Sequence, residues 1–249
     1  MEPTQIRAAG PQQNPRTAVV WAVLRQELDR HPRPLAVLDV GGGTGGFAVP
    51  LAGEGHRVTV VDSSPDALAA LTRRAADADV ADQISAVQGD ADALADIVEP
   101  GSVELVLCHS VLEVVDDPRR VALAIAATLR PGGAASVLVA GRTAAVLSRA
   151  MTGQLDAAAA LLASPDGCLG QRDTVRRRYD APDAAALLRE AGLAVEQTHG
   201  VRVLADLVPA AVADADPRVL LEVELAAAER PPYRDIAAAL HLLARRPAT

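Results

Sequence analysis

The sequence predicts an α/β fold, a doubly wound sheet with helices on both faces. Three observations carry that expectation. Short apolar, β-branched runs alternate with stretches of helical spacing along most of the chain. The first run empties into a glycine cluster from which a helix leaves, and the second ends in an acid about 20 residues further on. A chain of 249 residues, 50% of them hydrophobic, is also long enough to bury one sizeable core.

Taken in order, residues 1–13, rich in Pro, Gln and Gly, read as a flexible lead. Over 17–30, Val20, Trp21, Val23, Leu24 and Leu28 recur near helical spacing, and His31-Pro32-Arg33-Pro34 ends that helix. Trp21 is expected to staple it to the sheet. Residues 35–40 form a first strand that stops at the glycines, and a helix follows from Phe47. Residues 57–62 form a second strand. Ser64 then supplies an N-cap, with Pro65 at the first helical position. The runs 84–89 and 103–110 give two more strands. A helix starts at Asp117-Pro118 and reaches Leu129; Arg130-Pro131-Gly132-Gly133 turns the chain into a fifth strand, 134–140. One alanine-rich helix is expected over 143–162 and a loop over 164–178. The alternation resumes with a helix at 182–191, a strand from Leu193, a helix near 217–229 and a last strand at 240–246. The organisation is therefore a single domain over 14–249. Its cofactor-binding half is 35–140, a helical and basic insertion occupies 141–178, and 179–249 completes the sheet.

Composition removes several chemistries. Lysine is absent, so all 24 basic residues are arginine; a phosphate loop with its GK[ST] lysine, a Schiff-base enzyme and a short-chain dehydrogenase are excluded. The formal net charge of −8 argues against broad adhesion to polyanions, though not against a local basic site. Cys108 and Cys168 form no CxxC pair and the histidines show no ligand spacing, so no metal is expected and a reducing cytoplasm is the default setting. No basic-then-apolar leader opens the sequence, and no apolar run approaches the roughly 18 residues of a membrane span.

The chemistry gathers at the strand ends. In Val37-Leu38-Asp39-Val40-Gly41-Gly42-Gly43-Thr44-Gly45-Gly46, glycines stand where side chains would keep a ligand off the backbone. Gly41, Gly43 and Gly46 also fit G-x-G-x-x-G, which alone admits a dinucleotide. The acids decide the matter. Asp62 closes the second strand where a carboxylate can take both ribose hydroxyls. Asp39 inside the glycine frame suits a cationic amine and not a pyrophosphate. Asp90, after the third strand, can accept from an adenine amino group. Three acids on three strand ends imply a cationic, adenosine-bearing ligand, and S-adenosylmethionine fits. The fourth strand ends Cys108-His109-Ser110, so His109 borders the crevice and is a candidate contact or base.

These residues resemble the class I S-adenosylmethionine-dependent methyltransferases, with VLDVGGGTGG, VVDSSPDAL, GDADAL, LVLCHSVLEVVDDP and LRPGG in the usual order. Within that superfamily the chain is most similar to the bacterial tRNA 5-carboxymethoxyuridine methyltransferases, from about Asn14 to Pro247. The shared features include the Arg16-to-Trp21 spacing, GVRVLADL, LLEVELAAAERPPY and LHLLARRP. The resemblance implies a seven-stranded, mostly parallel, Rossmann-like sheet with an N-terminal helix and a helical insertion after the fifth strand. It also implies that Arg16 reaches the cofactor carboxylate and that Gly41 and Gly42 line the methionine part; Gly43 and Gly45 of the same loop are further cofactor-binding candidates. Asp62 would hold the ribose, Asp90 and Ala91 would flank the adenine, and His109 would close the pocket. Arg202 and Tyr233 become acceptor-site candidates, and tRNA becomes a partner.

On the substrate side, Arg172, Arg176, Arg177 and Arg178 against Asp173 make the one dense basic cluster, which Arg142, Arg149 and Arg202 could extend into a rim for an anion. Methyl transfer proceeds by in-line displacement. A carboxylate acceptor needs no base, whereas a hydroxyl or amine would call on His109 or Asp116. Scarce aromatics (2%) and the acidic balance keep a small anionic or hydroxylated metabolite open as acceptor, and a non-catalytic cofactor-binding protein remains the reading from another class.

Overall fold

The computed structural model describes residues 14–170 and 173–248. The lead expected over 1–13, and Arg172 of the basic cluster, lie outside the described residues. In chain order the elements are α1 (Ala18–Leu28), β1 (Ala36–Val40), α2 (Ala48–Gly53), β2 (Arg57–Asp62), α3 (Pro65–Asp77), β3 (Ile84–Gln88), α4 (Leu94–Ile97), β4 (Val103–His109) and α5 (Pro118–Thr128). There follow β5 (Leu129–Ala140), α6 (Arg142–Met151), α7 (Leu155–Ala163), α8 (Ala181–Glu190), β6 (Ala194–Val201), α9 (Ala210–Ala215), α10 (Pro217–Ala227) and β7 (Ala239–Arg245).

The seven strands form one sheet in the order β3-β2-β1-β4-β5-β7-β6. Pairings from β3 through β5 are parallel, and β7 runs antiparallel to both its neighbours. The winding reverses between β1 and β4, which opens a crevice beyond the carboxyl ends of those strands. Strands β1, β4 and β7 are buried on both faces, so each reads as a nearly unbroken apolar run. On one face Trp21, Leu24, Leu51 and Leu71 of α1, α2 and α3 pack on the sheet; on the other, Val121, Ile125, Ala184 and Leu188 of α5 and α8 do so.

Local chemistry starts the helices where the sequence suggests. The Ser64 hydroxyl accepts from the Ala67 amide at 3.2 Å, and Asp117 accepts from Arg119 and Arg120 at 3.0 and 3.1 Å. Trp21 is buried and stacks on Phe47, centroids 4.9 Å apart, as a staple should.

The region after β5 departs from expectation. The single helix of 143–162 is two, because the chain turns at Thr152-Gly153, with Gly153 at φ +77°. The Arg130–Gly133 turn is drawn into β5 as extended chain, with a register slip between Val103 and Leu105 and the Gly132 amide bonded to the Arg246 carbonyl at 2.9 Å. The short α9 has no counterpart in the expectation.

Candidate functional site

The crevice holds a cavity of about 380 Å³. Gly41, Asp62, Asp90 and Ala91 line it, and Asp116 and Arg176 stand on the same wall. Gly41 takes φ +67°, and a Cβ there would run into the adjoining Val111 side chain. At Gly42 a Cβ would meet the Asp39 carboxylate at 2.5 Å, so the glycine lets the loop close over that acid. Asp39 is thus beneath the loop and not on the cavity wall. Burial, reinforced by the nearby Asp62 charge, pushes its carboxyl up to about 7.

Asp62 ties the two loops together. One of its oxygens accepts from the Gly43 amide at 2.9 Å and the other from the Ser64 amide at 2.8 Å. Each oxygen keeps a second lone pair for a ligand hydroxyl. Asp90 caps the single 3-10 turn Ala91–Ala93 by accepting from the Asp92 amide at 3.1 Å. Asp92 also lines the cavity, and its Oδ1 is buried without a hydrogen-bond partner. The sequence reading missed it, because the GDADAL segment shows two acids and only the fold tells which is enclosed.

A second cavity, of about 430 Å³, lies beyond the end of β5. Leu147 and Met151 of α6 give it an apolar side, and Arg178, Arg202 and Asp206 a charged one. The buried Glu224 accepts from the Val203 and Leu204 amides at 3.0 and 2.6 Å and so fixes the chain after Arg202, itself at φ +58°. Arg202 pairs with Asp206 at 3.4 Å, and Arg16 reaches the same carboxylate at 3.1 Å. Arg16 therefore stands with this second group and does not line the first cavity.

Several side chains face other ways than the sequence suggested. His109 is turned to the α2 face, edge-on to Phe47 at 4.6 Å, with Nε2 bonded to the Ser136 hydroxyl at 2.9 Å. Ser110 and Val111 take the place on the cavity wall. Burial pushes the His109 imidazole down to about 4, which makes it a poor base. Asp116 is 82% exposed and ion-paired to Arg176, so it is a solvated acid at the mouth and not an enclosed base. Arg177 donates to the Val115 and Asp116 carbonyls at 2.5 and 2.8 Å. Arg178, buried, donates to the Gly167 carbonyl at 2.8 Å and to Asp173 at 2.6 and 3.2 Å, holding that carboxyl down at about 2. Arg178 thus braces its own loop, while Arg176 and Arg177 fasten that loop to the segment after β4; among the described members of the cluster only Arg178 also faces the second cavity. Arg142 likewise donates to the Pro165 carbonyl at 2.6 Å, and Tyr233 is half-exposed, lining neither cavity. Cys108 is fully buried, its thiol pushed well up by burial.

The first cavity suits a ligand with donors and positive charge. It offers carboxylates at two strand ends, an enclosed carboxylate oxygen lacking a donor, and backbone cleared of side chains at Gly41. S-adenosylmethionine brings a ribose diol, an adenine amine and two cationic centres, so the residues present fit it.

The comparisons agree. A family model described as a methyltransferase domain matches residues 37–133, and the chain belongs to the S-adenosylmethionine-dependent methyltransferases, taking that molecule as its cofactor. An S-adenosylmethionine-dependent methyltransferase structure from Mesorhizobium loti shares the fold, with a TM-score of 0.63 at 23% identity over 92% of this chain and 98% of that one. Among curated relatives, the chain is 31% identical to the tRNA 5-carboxymethoxyuridine methyltransferase of Escherichia coli K12, across 93% of its own length and 88% of the relative's. It is also 33% identical to a ubiquinone biosynthesis O-methyltransferase of Xanthomonas euvesicatoria, over 66% and 65% of the two chains. No helix among the described residues is long and apolar enough to cross a membrane, and none of their acid, histidine or cysteine groups makes a metal site.

Proposed function

We propose that this methyltransferase esterifies the carboxylate of 5-carboxymethoxyuridine in tRNA. The observation that carries the reading is the near full-length likeness to the E. coli enzyme, which includes the segments walling the second cavity. In this reading the first cavity holds the cofactor: Asp62 on the ribose, Asp90, Ala91 and Asp92 around the adenine, and Gly41 against the methionine part. Gly42, Gly43 and Gly45 do not line that cavity, Gly42 closing over Asp39, Gly43 tied to Asp62 and Gly45 packing on Leu71. Asp39 beneath the loop answers positive charge. The second cavity takes the modified base, with Arg202 and Arg178 toward its carboxylate and Leu147 and Met151 along its apolar side.

S-adenosylmethionine supplies a methyl group on a sulfonium that is already a good leaving group. What remains for the chain is to hold the acceptor in line and keep water out, an arrangement worth effective molarities of about 10⁵–10⁸ M. A carboxylate is nucleophilic at neutral pH, so no base is needed. That suits a site whose two sequence-nominated bases are a histidine pushed down to about 4 and an exposed, ion-paired aspartate.

The test is incubation of the purified protein with S-adenosylmethionine and tRNA from a strain lacking the chain, followed by nucleoside mass spectrometry. A methyl ester on the modified uridine is expected. Deletion-strain tRNA indistinguishable from wild type would remove the proposal. A small hydroxylated or anionic metabolite is the second reading, favoured by the ubiquinone O-methyltransferase likeness and the net charge of −8. Tight, salt-sensitive tRNA binding by the purified protein would count against it.

A further inference from the structure

Glu113 belongs to neither cavity wall, yet it sits between the two. It is only 5% exposed, and its Oε2 is enclosed with no hydrogen-bond partner. Three residues before it, Ser110 walls the cofactor cavity; Ala140 and Arg202 wall the second. All three favour the ionised Glu113 carboxyl against its burial, Ser110 and the Ala140 backbone as polar neighbours and Arg202 through its charge. The Glu113 carbonyl accepts the Arg176 and Arg177 amides at 2.9 and 3.1 Å, which fastens it to the arginine segment. The other titratable groups that feel its charge are Cys108 of β4 and Tyr179 ahead of α8. Neither is a cation, and the arginine that could pair with it is instead bonded to Asp206 at 3.4 Å.

A buried carboxyl in this position is disfavoured as an anion, and burial pushes Glu113 up to about 7. Two charge states are therefore accessible near neutrality, and they differ in what they ask of Arg202. The neutral acid leaves the guanidinium to the second cavity. The carboxylate competes for it and adds a negative charge beside any anionic acceptor.

We propose that Glu113 is a positioning residue that sets how much of the Arg202 charge is available to an anionic acceptor. This rests on the reading of Arg202 as an acceptor-binding cation. Because Glu113 acts on binding and not on the transferring methyl, its ionisation moves the acceptor KM and leaves the kcat profile alone.

Initial rates are measured from pH 6 to pH 8.5 with the full-length protein and tRNA from a strain lacking the chain, for wild type and Glu113→Gln. The wild-type KM rises roughly three- to tenfold across pH 7, while the variant keeps the low value throughout; S-adenosylhomocysteine affinity is the same in both. A variant that retains the rise in KM, or that loses kcat instead, overturns the proposal. Should wild type methylate no tRNA at any pH, the substrate reading fails, and the coupling is read directly by ¹³C NMR titration of the Glu113 carboxyl in wild type and Arg202→Gln. The carboxyl midpoint moves up by about half a unit or more in that variant; an unmoved midpoint sinks the coupling whatever the acceptor.

Discussion

At Asp62 one carboxylate closes the glycine loop and the start of α3 and still presents lone pairs to the cavity. Truncating Asp62 to Ala removes a charged acceptor worth roughly 1.5–3 kcal/mol per hydrogen bond, so S-adenosylhomocysteine affinity should fall about 10- to 100-fold by calorimetry. Unchanged affinity would refute the ribose placement. Asp39 makes a different prediction. Its carboxyl, held up at about 7, is about half protonated at neutral pH. A cationic ligand above the loop favours the carboxylate and lowers that value, so S-adenosylmethionine binding at pH 7 should release about half a proton. Calorimetry in two buffers of different ionisation heat measures this. Asp39→Asn should abolish the release, and buffer-independent heat in the wild type would contradict the placement of the cation.

Elements differ in how plainly the sequence announces them, and burial explains why. β1 and β4 are apolar because both faces are covered, and the residue after each, Gly41 or Ser110, lines the site; β2 is buried at Val58, Val60 and Val61 and ends at the site's Asp62. The edge strand β3 is largely exposed and reads weakly, and α9 is too short for a period to show. The break between α6 and α7 rests on one glycine within an alanine-rich stretch that offers no contrast. The site divides the same way. Glycines and acids at strand ends follow from local strand-loop-helix geometry. The arginines do not, because whether a guanidinium meets solvent, a ligand or its own loop depends on how the segment after α7 folds back. Arg178 meets its own loop, and Arg177 meets the carbonyls of the segment after β4. Glu113 is invisible for a related reason, since Ala140 and Arg202, which bear on its carboxyl, are distant in sequence. The legible caps can be tested as elements. Asp117→Ala leaves the Arg119 and Arg120 amides without an acceptor at the start of α5 and should cost about 1 kcal/mol, seen as a lower urea midpoint with an unchanged m-value. An unaltered midpoint would mean water replaces the cap.

Across the whole molecule, buried titratable groups oppose one another. A polar row crosses one face of the sheet, from His109 of β4 through Ser136 of β5 to His241 of β7, with hydrogen bonds of 2.9 and 2.8 Å, and His199 of β6 lies beside His241 at 5.7 Å. Burial lowers all three histidines. As pH falls below the ordinary 6.5, the unfolded chain therefore takes up protons that the folded chain refuses, and stability is lost progressively, for His109 down to about pH 4. Asp39 and Glu113 act with the opposite sign. Their folded values lie near 7, so the stability they allow is full below pH 4 and declines as pH rises through 7. Just below 6.5 four lowered histidines, the buried His56 among them, outweigh two acids, and each unmatched proton contributes about 1.4 kcal/mol per pH unit. Above 6.5 the histidines fall silent and only the acids act. Stability should thus peak near pH 6.5, dropping steeply on the acid side and slightly toward pH 8. Urea midpoints at pH 5, 6.5 and 8 measure the curve. Glu113→Gln should flatten the alkaline side and steepen the acid side, because it removes one of the two opposing acids; a variant that follows the wild-type curve at all three values would show that the Glu113 proton is not part of the balance.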